Sequence, residues 1–143
     1  AYVKGDIQWI SHTFNHALKM WVVTIVGGLI MLTISGFFYH LWIGESVVIP
    51  FGVSASVLAY ISMFNLNNCV TYLLNGLNKI RVQIYTSFLF TAFFLMVVTL
   101  LGRRFGVIGI IVSMAISYGL MSIIHLYQCR LLIKQKAKGI WNK

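Results

Sequence analysis

The sequence predicts an all-α integral membrane protein that crosses a bilayer four times, and three observations carry that reading. Of its 143 residues 59% are hydrophobic and only 9% are charged, whereas an ordinary soluble domain has roughly 25% charged residues. A soluble fold of this length could not hide so much apolar surface, because surface shrinks only slowly relative to volume. The apolar residues fall into four runs, each long enough to cross a hydrocarbon core of about 30 Å at 1.5 Å per residue, and the cations collect at the ends of those runs.

Residues 1–19 open the chain. Gly5-Asp6 reads as a helix start, with Asp6 able to accept from exposed N–H groups. Ile7, Ile10, Phe14 and Leu18 then recur at helical spacing, with Gln8, Ser11, Asn15 and Lys19 opposite. Such an amphipathic helix either lies at the membrane surface or extends the helix that follows. The first span covers residues 20–42, with Trp21 near one end and Tyr39 and Trp42 near the other, where amphipathic rings favour the interface.

A short loop holding Glu45 leads to Pro50, a residue suited to a helix's first turn. The second span, residues 51–77, is the least apolar of the four. A tight basic turn at 78–81 leads to the third span, residues 82–101, rich in phenylalanine. The sequence Gly102-Arg103-Arg104-Phe105-Gly106 predicts the next turn, and the fourth span covers residues 107–129. Residues 130–143 form a basic tail. No linker divides the chain, so the whole reads as one membrane unit.

Charge sets the expected orientation. Eleven Lys and Arg face two acids, Asp6 and Glu45, for a net charge of +9. Nine of the eleven cations belong to the N-terminal segment, the 78–81 turn and the tail; Arg103 and Arg104 lie on the other side. The positive-inside rule puts the nine-cation side, and with it both termini, in the cytoplasm. Cations placed at span ends imply membrane lipids as partners and no nucleic acid.

The second span is the informative one. At about 100° per residue, Ser62, Asn65, Asn68, Tyr72, Asn75, Gly76 and Lys79 share one face, with Met63, Leu66, Val70, Leu73, Leu74 and Leu77 on the other. Unpaired amides are costly in lipid, so the polar face turns toward other helices or a water-filled cavity. Asn65, Asn68, Tyr72 and Asn75 are the candidate cavity residues; their structural alternative is interhelical hydrogen bonding. In the fourth span Gly106, Gly109, Ser113 and Ser117 form a row of small residues, expected to be a packing face. His40 and His125 lie near span ends, where hydrogen-bonded or solvated roles are expected rather than proton relay.

No span contains an acidic residue, and the chain carries no paired carboxylates, Ser/His/Asp set, metal-ligand spacing or phosphate-cradling glycine loop. Cys69 and Cys129 sit singly in apolar runs. The expectation is therefore no catalysis, no metal and no cofactor.

A resemblance joins these features. Tyr72-Leu-Leu-Asn75-Gly76-Leu-Asn78-Lys79-Ile-Arg81-Val-Gln83 resembles the NG-x-x-K-x-R-x-Q turn between two late helices of bacterial polysaccharide flippases. Arg104-Phe105-Gly106-Val107-Ile108-Gly109 resembles their following G-x-x-G turn, and Val3-Lys4-Gly5-Asp6 with Trp9-Ile10 is similar to the segment before the preceding helix pair. The resemblance covers essentially the whole chain. It implies the multidrug/oligosaccharidyl-lipid/polysaccharide exporter superfamily, whose members have two six-helix lobes around a central cavity. The chain would be the last four of twelve helices, partnered by an N-terminal lobe of the same protein. It would move an undecaprenyl-diphosphate-linked oligosaccharide across the bacterial inner membrane for O-antigen, capsule or exopolysaccharide synthesis. Lys79 and Arg81 would then be candidates for contact with the diphosphate or with headgroups; plain topology anchoring is their alternative role. The competing expectation is a complete four-helix membrane protein. It would be an accessory for lipid-linked sugars similar to the GtrA-like proteins, or a structural or pore-forming protein.

Overall fold

A computed structural model describes residues 7–44 and 48–143, and among them every regular element is helical. Helix α1 covers Ile7–Ile43, α2 Phe51–Gly76 and α3 Arg81–Ile133, followed by a 3-10 turn at Gly139–Asn142. All three long helices have the length and apolar composition to cross a membrane. Lys4, the Asp6 cap and the Glu45 loop of the sequence reading lie outside the described residues.

Residues 7–19 are continuous with the first apolar run in α1. The physical reason is that their apolar stripe has somewhere to go. Ile10 and Phe14 are buried together with Leu66, Val70 and Leu74 of α2, Leu77, and Cys129 and Leu132 of α3. Ile7, Leu18 and Trp21 pack around that cluster. Beyond Trp21 the surface changes character, and Val22, Val23, Val26, Leu29, Ile30, Phe37 and Leu41 are all exposed. Apolar side chains in that position suit lipid, where there is no hydrophobic drive to cover them.

Helix α2 starts after Pro50, whose backbone is extended. It ends in a left-handed residue, Asn78 at φ 56°. The Lys79 N–H donates to Leu74 O at 3.0 Å and the Asn78 N–H to Asn75 O at 2.9 Å, closing the helix end as a Schellman-type cap does. Asparagine rather than glycine takes the left-handed position, which its short polar side chain tolerates.

The predicted turn at 102–106 takes the form of a sharp break at Gly106, whose φ 59° and ψ −134° leave helical geometry and divide α3 into two helical halves. A residue with a Cβ would be strained there. About 25 residues of helix lie on either side, roughly 37 Å each at 1.5 Å per residue. The halves run back along each other: Thr86 meets His125 across the bend, and Gly109 sits so close to the Leu101 backbone that a Cβ would collide with it.

Contacts between the helices fix their directions. Trp21 pairs with Ser62 and Tyr39 with Ser54, so α1 and α2 are antiparallel. Gly52 lies against Ile108, Met63 against Gly119 and Asn67 against His125, so α2 runs parallel to the second half of α3. The start of α1, the end of α2 and both ends of α3 therefore share one end of the bundle. Lys79, Arg81, Arg130 and the lysines of the tail gather at that end, while Arg103 and Arg104 flank the bend at the other.

Candidate functional site

The polar residues of α2 separate into two groups. Asn67 points inward and is buried. Its Oδ1 lies 2.9 Å from Nδ1 of His125, which is 2% exposed. The other ring nitrogen, Nε2, is 2.9 Å from the Thr86 hydroxyl. Thr71 Oγ1 approaches Nδ1 at 3.5 Å, and Gln83 Nε2 donates to Thr71 O at 3.5 Å. A neutral imidazole with its proton on Nδ1 donates to Asn67 and accepts from Thr86, so both nitrogens are satisfied. This cluster ties α2 to both halves of α3 at one level.

The second group is the amide row. Asn65 and Asn68 are half-buried, Asn75 is exposed, and Tyr72 is 71% exposed. None of these four side chains makes a hydrogen bond among the described residues. The face that packs on α3 is instead the apolar one, with Leu66, Val70 and Leu74 buried. Only Ser62, at the start of the polar face, is covered, where its carbonyl accepts from the Trp21 indole N–H at 2.8 Å. The polar face leaves the packed region as it runs from Ser62 to Asn75.

The level of the row in the bundle matters. It lies between the Trp21–Ser62 contact and the basic end, beside residues 7–19 of α1. There α1 carries Gln8, His12, Asn15, His16 and Lys19, all exposed. The His12 and His16 rings stack with centroids 6.5 Å apart. In the half of the bundle nearer the cations α1 and α2 are thus polar on these outer sides, whereas α3 exposes Ile84, Tyr85, Phe88 and Ile123 there.

Lys79 and Arg81 flank the α2–α3 turn. Arg81 is exposed and Lys79 half-buried. The Lys79 ammonium donates to Asn142 O at 2.8 Å, so the tail reaches back over the turn. A separate groove of about 270 Å³ runs between the halves of α3, with Phe90, Phe94, Met114 and Met121 beside the hydroxyl-bearing Ser87, Thr91, Ser117 and Tyr118. No residue of the amide row lines it.

Of the small-residue row, Gly109, Ser113 and Ser117 are buried and Gly106 is exposed at the bend. The sequence reading did not single out Asn67, Thr86 or Gln128. One signal was present: the row at 109, 113 and 117 continues at helical spacing through His125 and Gln128, which are buried on the same side. Among the described residues no group of three or more His, Cys, Asp or Glu side chains stands together. No protein-family model, curated protein or solved structure matches the chain.

Proposed function

We propose that the chain forms the last four spans of a polysaccharide flippase, with α1, α2 and the two halves of α3 each crossing the bacterial inner membrane and both termini in the cytoplasm. The observation that carries this reading is the uncovered amide row. Asn65, Asn68, Tyr72 and Asn75 stand on a helix long and apolar enough to span, yet the chain's own helices leave them without hydrogen-bond partners. Hydrocarbon cannot supply those partners, and the row runs from the interfacial level of Trp21 toward the basic end, where water is within reach. A water-filled cavity shared with an N-terminal lobe can supply them. The motif around Asn75, Lys79 and Arg81, described above, supports the same family.

A sugar head group cannot enter hydrocarbon cheaply, because its hydroxyls lose their water. An amide-lined wall replaces those hydrogen bonds during passage. The diphosphate meets Lys79 and Arg81 at the cytoplasmic mouth, where ammonium and guanidinium contacts to phosphate are charge-assisted. The prenyl tail stays in the membrane while the two lobes rock to expose the cavity to the opposite side. The role is transport rather than catalysis, with lipid-linked oligosaccharide as the substrate.

The test is Asn68→Leu together with Asn75→Leu in the full-length protein. Glycan export should fall sharply while the amount inserted in the membrane stays the same; unchanged export would remove the cavity role. The long exposed apolar stretch of α1 suits lipid in a flippase and in a complete small membrane protein alike. The open reading frame upstream of Ala1 separates the two: further spans favour the flippase, and their absence favours the small protein.

A further inference from the structure

The tail is fastened to the α2–α3 turn by three consecutive carbonyls. The chain reverses after α3 at Gln135, φ 55°, and returns to the junction through the turn at Gly139–Asn142. Trp141 O accepts from Gln128 Nε2 at 3.2 Å, Asn142 O from the Lys79 ammonium at 2.8 Å, and Lys143 O from the Arg81 backbone N–H at 3.2 Å. The Trp141 ring packs edge-on against Tyr127. The last of these bonds satisfies one of the orphan donors at the start of α3.

Gln128 is the clasp of this assembly. It is fully buried, and its Nε2 also donates to Lys79 O at 3.3 Å, so one side chain holds both the strap and the turn that bears Lys79. Its Oε1 is buried without a hydrogen-bond partner among the described residues. Rotating the amide would set that oxygen against two carbonyls, so the orientation is fixed. A leucine of similar size would avoid the orphaned acceptor but would release both carbonyls. The residue thus serves the junction at a local cost.

We infer that Gln128 is a positioning residue that, through the strap of residues 139–143, presents the Lys79 ammonium to an isoprenyl diphosphate at the basic end of the bundle. This rests on Lys79 meeting the diphosphate, as proposed above. A lysine side chain is long and loses much rotamer freedom when it is ordered. The Asn142 carbonyl orders it before the ligand arrives, so the ligand meets an ammonium already in place. Arg81 follows two residues later on a helix start that the same strap holds.

The experiment titrates the detergent-solubilised full-length protein with farnesyl diphosphate, following the phosphorus resonances. Lys79→Gln should weaken binding about tenfold and Gln128→Leu about three- to tenfold, with the double variant no weaker than Lys79→Gln alone. Deletion of residues 139–143, which leaves the buried side chains untouched, should match Gln128→Leu and guards against a folding defect in that variant. If Lys79→Gln weakens binding but neither strap variant does, or if the effects multiply in the double variant, the positioning role is overturned and the diphosphate contact stands. If Lys79→Gln leaves binding unchanged, both are overturned.

Discussion

Two sets of polar side chains lie on α2 within a few residues of each other, and they meet opposite fates. Asn67 is buried and reaches His125, which in turn reaches Thr86. Asn65, Asn68, Tyr72 and Asn75, on the adjoining face, have no hydrogen-bond partner among the described residues. The difference teaches which polar groups hold the bundle and which are available to something outside it. A buried histidine with both nitrogens satisfied is a joint between helices. An amide row turned away from its own bundle, on a helix built to span, is a surface that requires water, a solute or another part of a larger protein.

The comparison breaks most completely if the joint is pulled apart at its foundation. Gly109→Val would drive a side chain into the Leu101 backbone and separate the halves of α3, and with them Thr86 from His125. The expected cost is about 3 kcal/mol or more, read as loss of the folded, monodisperse species in detergent. His125→Ala comes next. It orphans Asn67 Oδ1 and leaves a hole in the cluster, for a loss of about 2–4 kcal/mol in thermal unfolding. The smallest change in stability belongs to the other face. Asn68→Leu and Asn75→Leu each shift unfolding by no more than about 0.5 kcal/mol, although the pair should abolish most export. If they destabilise as strongly as His125→Ala, the two sets of residues are not different in kind.

The all-helical character of the chain, and the presence of helices long and apolar enough to span a membrane, were legible in the sequence because they depend only on the length of apolar runs and the scarcity of charge. The return of α3 was legible in place but not in form. Two glycines around Arg103 and Arg104 suggested a loop, whereas Gly106 alone leaves helical geometry and the rest of 102–106 is helix. The amphipathic start of α1 was legible as a stripe, but periodicity cannot say whether a stripe lies on lipid or on another helix. Here Ile10 and Phe14 find Leu66, Val70 and Leu74.

The same limit governs the site. Spacing divides α2 into a polar and an apolar face, and says nothing about which of them the neighbouring helices cover. In a soluble protein the apolar face turning inward would be the rule; in lipid both choices are open, and the partners decide. Asn67 falls beside Leu74 at the margin of the apolar face, and spacing alone gives it no partner. In the sequence His125 is an isolated polar residue near the end of a span, and nothing marks Gln128. Their meaning depends on Thr86, Lys79 and Trp141, between 13 and 49 residues away.

Water access along α2 tests the central claim most directly. In full-length protein with Cys69 and Cys129 replaced by alanine, single cysteines at positions 68, 72 and 75 and at positions 70 and 74 are exposed in intact membranes to a water-soluble, membrane-impermeant thiol reagent applied from the cytoplasmic side. The account predicts modification at 68, 72 and 75 and none at 70 or 74. Protection at all five positions would contradict it, because the amide row would then face lipid or packed protein and line no aqueous path.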